Sequence, residues 1–272
     1  MPILSNLPAL LLPAIVCTVA ATAPVAAEPP QDVETLVACM ARDDYGASSR
    51  CTDELSAIVK RDPGVSADVR VHRAFAARLY REIADFREWQ RWLATRTAEE
   101  LERDSPEYED GFSALELADT IHFQLLPHAD RDSDRVLFDA LLATTVMNGD
   151  MERGIARYGQ RALSATLDFA RSDPADRRRI AYSVLGWMLE VDAGDMLALP
   201  LDPSARDAAA GAITAGLQEG EPSVRLAAIR AAQRGRVRGA FPMLRVLAVT
   251  LPDDEPHRLR QAAAEAVATL GR

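Results

Sequence analysis

The chain has 272 residues, of which 48% are hydrophobic and 26% charged, and its formal net charge is −10. This composition excludes collagen-like, low-complexity and wholly disordered chains, and the length is sufficient for a sizeable hydrophobic core. One large globular domain or two modest ones would account for it. Composition therefore indicates a broad structural class but no reaction.

The N-terminal segment has the features of a secretory signal peptide. An apolar stretch runs from Leu7 to Val19, and Val25-Ala26-Ala27 forms a small-x-small cleavage pattern before Glu28. We therefore expect residues 1–27 to be removed and the mature protein to be periplasmic or secreted. The segment has no lysine or arginine near its start, and the alternative is an uncleaved anchor, since about 20 apolar residues span a bilayer. Membrane contact is expected only in that case.

The cysteine count agrees with export. Removal of the leader would discard Cys17 and leave one pair, Cys39 and Cys51. In an oxidising compartment such a pair, close in sequence, is expected to form a disulfide. The alternative is two unpaired thiols on neighbouring helices. The spacing differs from the C-x-x-C of a redox pair, and too few cysteines remain for a cysteine-ligated zinc site.

Helical periodicity runs through the chain after the leader. The first helix is indicated over residues 31–41 by apolar positions at i, i+3, i+4 and i+7, namely Val33, Leu36, Val37 and Met40. Thr52 is predicted to cap a short helix, and Ser66 to open a long one. Further helices are predicted over residues 108–126, 134–148, 151–172 and 175–191. Because alternating β-branched runs bounded by turns are lacking, we predict an all-α protein with an irregular, acidic helical domain over residues 28–201.

The C-terminal segment, residues 202–272, is the most regular part of the sequence. Alanine-rich stripes recur there at helix-face spacing, and we expect Ala228 and Ala263 to lie at tight helix crossings. Two stretches in it are similar to each other, such that Val224-Arg225 corresponds to Leu259-Arg260, 35 residues later. Self-similarity near this period is typical of stacked helical arrays.

This pattern of an acidic-Pro turn, an apolar-Arg pair and an alanine-rich helix resembles the HEAT-like repeats. The resemblance covers residues 202–272 and implies a short α-solenoid segment that serves as a binding surface or scaffold, with no catalytic residue. It also implies structural roles for Arg206, Arg225 and Arg260, which would pair with acidic residues at helix starts. Because no clear repeat precedes Asp202, the short array is expected to pack onto the N-terminal helices.

Charge divides the chain near the same position, with a net charge of −12 over residues 28–201 and +2 over residues 202–272. The acidic part makes nucleic acid an unexpected partner. Asp130, Asp132 and Asp134 match the first ligand positions of a calcium loop, but Arg135 replaces the required glycine. We interpret Asp132 or Asp134 as a helix N-cap, and we expect neither a metal nor another cofactor.

Signatures of catalysis are weak. Ser113 lacks the second glycine of a nucleophile elbow and does not follow a strand. The four histidines form neither an H-E-x-x-H motif nor an i, i+4 pair. Paired carboxylates remain open as an acid–base site, because their separation depends on the fold.

One segment, IADFREWQRWLATR over residues 83–96, interleaves aromatic residues with arginines. Phe86, Trp89 and Leu93 share a helical stripe, and packing in the core is one interpretation of them. The other is that Trp92, with Arg91 and Arg96 beside it, is exposed as part of a protein-binding surface. Tryptophan and arginine are enriched among interface hot spots.

Two functions follow from these patterns. The first is an exported helical-repeat protein that binds a protein partner in the cell envelope, as a scaffold or adaptor. The alternative is an exported enzyme whose site is assembled from Asp, Glu and His residues of the N-terminal helical domain. A deep acidic pocket would favour the enzyme, whereas a groove rimmed by aromatics and arginines would favour the scaffold.

Overall fold

A computed structural model describes residues 32–97, 100, 110–144, 150–193, 200–251 and 258–271. The predicted leader, residues 1–27, lies outside them. The described residues form α-helices with short 3-10 and π-helical turns, and none of them is in a β-strand. The all-α fold class predicted from the sequence is therefore confirmed. Residues from Asp32 onward belong to one compact unit.

Eight α-helices are described before residue 170. They are α1 (Val33–Met40), α2 (Tyr45–Val59), α3 (Pro63–Ser66), α4 (Val69–Ala94), α5 (Asp110–Thr120), α6 (Arg131–Thr144), α7 (Asp150–Ala156) and α8 (Gln160–Phe169). A π-helical turn, Ile121–Leu125, and a 3-10 turn, Leu126–His128, connect α5 to α6.

Five α-helices are described after residue 170. They are α9 (Ala175–Ala193), α10 (Pro203–Gly216), α11 (Pro222–Arg234), α12 (Phe241–Thr250) and α13 (Leu259–Leu270), with a 3-10 turn at Arg238–Ala240.

Aspartates, rather than the residues predicted, cap the early helices. The side chain of Asp44 accepts a hydrogen bond from the amide of Ala47 at 3.1 Å and caps α2. Thr52 lies inside this helix, so its predicted capping role is wrong. Asp68 caps α4, whereas Ser66 ends α3 and donates its hydroxyl to a carbonyl oxygen of α2. An aspartate with an extended backbone can accept a hydrogen bond from a main-chain amide of the first helical turn through its carboxylate, and this is why it serves as an N-cap.

Two further helix boundaries differ from the prediction. Asp130 accepts the amide hydrogen of Ser133 at 2.8 Å and caps α6, so neither Asp132 nor Asp134 has that role. The helix predicted over residues 151–172 is two helices, because Gly159 has φ of 53° and ψ of −121° between α7 and α8. Only glycine adopts that region readily.

The core continues from one helix to the next along the chain. Helix α4 contacts α1, α5 and α6, and α6 contacts α7 and α8. In the middle of these contacts Phe75, Leu79 and Phe138 are fully buried. Burial of each such side chain contributes about 1.5–3 kcal/mol. Helix α9 contacts α7, α8, α10 and α11, so it connects the two halves of the core.

The C-terminal helices pack in pairs, α10 on α11 and α12 on α13, and α11 also packs on α13. The predicted crossing residues Ala228 and Ala263 are fully buried. Arg225 donates to the carbonyl oxygen of Glu219 at 2.7 Å, and Arg260 to that of Ala248 at 3.2 Å. These two bonds go to main-chain carbonyls near the ends of preceding helices, and the pairing of Arg206, Arg225 and Arg260 with acidic side chains at helix starts stays a prediction. The division expected at residue 201 and the repeat pattern stay predictions.

Cys39, at the end of α1, and Cys51, in α2, form a disulfide with a Cα–Cα separation of 6.0 Å. Both residues are buried, and α1 packs on α2. Among the described helices, none is both long enough and apolar enough to cross a bilayer.

Candidate functional site

The predicted binding residues lie at the C-terminal end of α4, beyond its fully buried part. Ile83 is the last buried residue of this helix. Trp92 is half-buried, and the guanidinium carbon of Arg96 lies 5.0 Å from the centre of its ring. Arg91 is exposed and donates from Nε to a carbonyl oxygen one turn earlier. The structure thus brings Trp92 and Arg96 together, whereas Arg91 bonds to its own helix.

The neighbouring aromatic residues of α4 are also only half-buried. The rings of Phe86 and Trp89 are 5.8 Å apart and stack at 28°. Leu93 has a similar intermediate exposure. Residues 98, 99 and 101–109, which follow closely, lie outside the described residues. Among the described residues, this aromatic segment therefore borders the surface and is not part of the deep core.

A second cluster, which the sequence did not reveal, lies where α7, α9 and α11 come together. These helices border an open cavity of about 290 Å³. We call it the arginine groove, and it is lined by Glu152, Arg179, Ser183, Ser223, Leu226, Ala227, Arg230 and Arg234. Its walls therefore combine guanidinium groups, hydroxyls and a small apolar strip.

Trp187 lies next to the arginine groove and contacts arginines from two helices. The guanidinium carbon of Arg234, on α11, is 4.0 Å from the centre of the Trp187 ring, and that of Arg153, on α7, is 5.3 Å away. An arginine over an aromatic face gains about 0.5–2 kcal/mol, depending on its desolvation. The half-buried indole therefore positions Arg234, one of the three arginines that line the groove.

A close crossing of α9 and α11 places these side chains. A Cβ atom built on Gly186 would lie 2.8 Å from the Cα atom of Ala231, so glycine is required for the observed approach. Arg179, Ser183 and Trp187 follow one another at four-residue spacing and share a face of α9. Close packing of the two helices brings this face beside the arginines of α11.

The charges of the arginine groove are only partly compensated. Glu152 accepts a hydrogen bond from the Ser183 hydroxyl. Burial raises the pKa of Glu152 above its ordinary value, while the Ser183 hydroxyl and the charges of Arg179 and Arg234 act in the opposite direction. Arg179 lies 3.8 Å from Asp176, and Arg234 lies 3.6 Å from an acid of α9. Such partly exposed pairs contribute little, typically about 0–1 kcal/mol.

The sequence carried a faint signal for this groove. The four-residue spacing of Arg179, Ser183 and Trp187 can be read from it, and so can the glycine beside the tryptophan. Which helix packs against that glycine cannot be read. Arg153 and Arg234 come from parts of the chain far from Trp187, so only the fold brings the three residues together.

A polar cleft of about 470 Å³ lies between α2, α4 and α5. Among its lining residues, Arg78 is almost fully buried, donates to the Ser48 hydroxyl at 2.7 Å and pairs with the buried Glu82. The acids on its wall are all exposed, namely Asp53, Glu116 and Asp119. This is the place in the N-terminal helices that best fits the alternative hypothesis of an enzyme, but its ordered charges form an internal ion pair.

The described histidines have structural surroundings. His72 is fully buried, with Nε2 2.6 Å from the carbonyl oxygen of Ser66. His122 is half-buried against the ring of Tyr158, and burial lowers its pKa below the ordinary value. His128 is exposed. Within the described parts of the chain, no three His, Cys, Asp or Glu residues are grouped so as to hold a metal ion.

Comparisons with known proteins add little to this geometry. No protein-family model and no curated protein matches the chain. A crystal structure described as an engineered protein of the Northeast Structural Genomics Consortium aligns with 89% of this chain and 97% of its own, at 14% identity and a TM-score of 0.39. A TM-score this low supports no argument about fold or function. Function must therefore be argued from the sites themselves.

Proposed function

We propose that the chain is an exported helical scaffold or adaptor that binds another protein in the cell envelope. The signal-peptide features of residues 1–27 support export, and so does the Cys39–Cys51 disulfide, because disulfides persist in oxidising compartments. The resemblance of residues 202–272 to HEAT-like repeats supports a binding role.

The observation that carries the proposal is the arrangement of Trp187 with Arg153 and Arg234 beside the arginine groove. Tryptophan and arginine dominate interface hot spots, where truncation costs about 2 kcal/mol or more. The cluster of Trp92 and Arg96 on α4 is a second surface of the same chemistry. Helices hold Trp187, Arg153, Arg234 and Trp92, so little conformational entropy of these residues would be lost on binding.

The test is affinity purification of the tagged protein from the envelope of its native host, with variants that remove one cluster at a time. Trp187→Ala and Trp92→Ala are compared with Phe123→Ala. Phe123 is 62% exposed and lies in neither cluster, so its variant is the matched control. Circular dichroism and the melting temperature of each purified variant show whether its fold is intact.

We expect a defined protein to co-purify with the wild type and with Phe123→Ala, and to be lost with Trp187→Ala or Trp92→Ala while the fold stays intact. The proposal fails if the same proteins co-purify with every variant. It also fails if no protein enriches and a small molecule or metal does, a result that would favour the enzyme hypothesis.

A further inference from the structure

The arginine groove has the size and shape to hold a few side chains of a ligand. Its volume of about 290 Å³ is close to the lower end for ligand pockets, which is about 300 Å³. Its wall on α11 carries Leu226 and Ala227 next to Arg230 and Arg234. A bound group would therefore meet apolar and cationic surfaces together.

The charge of the groove is opposite to that of the chain. Three arginines and one glutamate line it, so the lining itself has a net charge of +2, whereas the whole chain carries −10. Asp176 and Glu190 lie beside Arg179 and Arg234 and offset part of this charge, which makes the exposed Arg230 the main cation offered to a ligand. A guanidinium group binds a carboxylate through two parallel hydrogen bonds. Such a local reversal of sign attracts anionic groups and repels cationic ones.

We propose, on the basis of the proposed function, that the arginine groove binds an acidic segment of the partner protein, whose carboxylates pair with Arg179, Arg230 and Arg234. A free anion would use the guanidinium groups alone. An acidic peptide can also contact the apolar strip at Leu226 and Ala227, which packs against the core on its other side.

Glu152 limits the affinity of the groove. Its carboxylate lies in the lining, accepts the Ser183 hydroxyl and interacts with the charges of Arg179 and Arg234. It therefore competes with a carboxylate of the ligand for the same cations. The change Glu152→Gln keeps an oxygen that can accept from Ser183 and removes the competing charge.

The experiment measures binding of a fluorescently labelled peptide made of glutamate and leucine to the whole protein with its disulfide intact. A lysine and leucine peptide of the same length is the charge control. We expect binding of the acidic peptide only, weakening as salt is added. We expect Arg230→Ala to weaken it roughly tenfold, because one charge-assisted pair is lost. Arg245→Ala, an exposed arginine of α12 outside the groove, should leave it unchanged. Glu152→Gln should tighten binding several-fold.

The proposal is overturned if the two peptides bind equally, if the acidic peptide does not bind, or if Arg230→Ala binds it as the wild type does. It is also overturned if Glu152→Gln fails to tighten binding. Inorganic phosphate and unlabelled acidic peptide are also compared as competitors of the labelled peptide, at concentrations that supply the same total negative charge. If phosphate displaces the labelled peptide as well as the unlabelled peptide does, the groove is a simple anion site and the proposal is wrong. The peptide experiment and the envelope experiment can fail separately. If the partner binds at Trp92 and not at the groove, the acidic peptide will not bind, but a protein will still co-purify and the proposed function will stand.

Discussion

Gly186 on α9 lies against the backbone of Ala231 on α11, so closely that a Cβ atom on Gly186 would be 2.8 Å from the Cα atom of Ala231. Real Cβ atoms essentially never approach this closely. Because the contact is with main-chain atoms of a packed helix, it cannot be relieved by rotation of a side chain. The same crossing places Trp187 beside Arg234, so the geometry of the candidate site depends on this glycine.

Gly186→Ala should therefore destabilise the protein. We expect a loss of about 1–3 kcal/mol in the free energy of unfolding, the usual effect of overpacking, measured by urea denaturation. Gly211→Ala in α10 is the matched control, because a Cβ there would meet open space. That change should raise stability by up to about 1 kcal/mol, through helix propensity. If the two variants lose equal stability, the close crossing of α9 and α11 is wrong.

The packing of α13 gives a second prediction. Ala263 is fully buried and Ala264, the next residue, is exposed. Ala263→Leu should lower stability by about 1–3 kcal/mol, because the extra methyl groups have no space. Ala264→Leu should leave the melting temperature nearly unchanged. Reversed effects in thermal unfolding would show that the helix is rotated from the register described.

Some of these elements could be predicted from the sequence because their signals are local. The Asp202-Pro203 pair marks the start of α10, and the stripe through Ala228 predicts which side of α11 is buried. The break at Gly159 was missed, since a positive φ leaves no trace in hydrophobic periodicity. The disulfide was predicted because only two cysteines remain after the leader.

The candidate sites show the same division. Trp92 and Arg96 are four residues apart, on the last turn of α4 and just beyond its end, so their contact is local in sequence. The contact of Trp187 with Arg153 and Arg234 depends on how three helices cross, which is set by the volumes of residues such as Gly186. The pattern of a single sequence predicts which face of a helix is apolar, but it does not predict which other helix packs against that face.

The disulfide gives a third prediction. Intact mass measurement of protein recovered from the envelope should show alkylation of Cys39 and Cys51 only after unfolding and reduction, since both are buried. The same spectrum should place the N-terminus at Glu28. Reduction should cost about 3 kcal/mol of stability, because the bond closes a short loop in the unfolded chain. Two thiols that alkylate without reductant would contradict the bond.

The buried ion pair of Arg78 and Glu82 gives a fourth prediction. Their side chains are 4% and 1% exposed. Arg78→Met should cost about 3–5 kcal/mol of unfolding free energy, because it leaves the charge of Glu82 buried. The double variant with Glu82→Leu should recover part of that loss. Arg70→Met, which breaks an exposed pair with Asp68, is the control and should have little effect. Equal effects of the two single variants would mean that Arg78 is solvated.

The junction of α8 and α10 gives a prediction that depends on pH. Asp202 accepts the amide of Ala205 at 2.7 Å, and its carboxylate also accepts from Ser204 and from Gln160 of α8. These bonds, the one from Ala205 first, lower the pKa of Asp202 from 3.8 to about 2. A lowered pKa in the folded state means that the charged form stabilises the fold. This stabilisation is complete above pH 3.8 and is lost as the pH falls through about 2.

The variant Asp202→Ala tests this linkage by thermal unfolding between about pH 5 and about pH 2. At the upper end of this range we expect the wild type to melt at a higher temperature than Asp202→Ala. The difference in melting temperature between the two proteins should shrink as the pH falls. Asp207→Ala is the control, because it removes an exposed acid of α10 that does not cap the helix. It shows how much of the effect comes from the loss of one negative charge alone. Because the reciprocal bonds between Asp202 and Gln160 connect α8 to α10, Gln160→Ala should reproduce part of the effect at the higher pH. A difference that stays constant over the whole range would mean that the carboxylate of Asp202 does not cap α10 in solution.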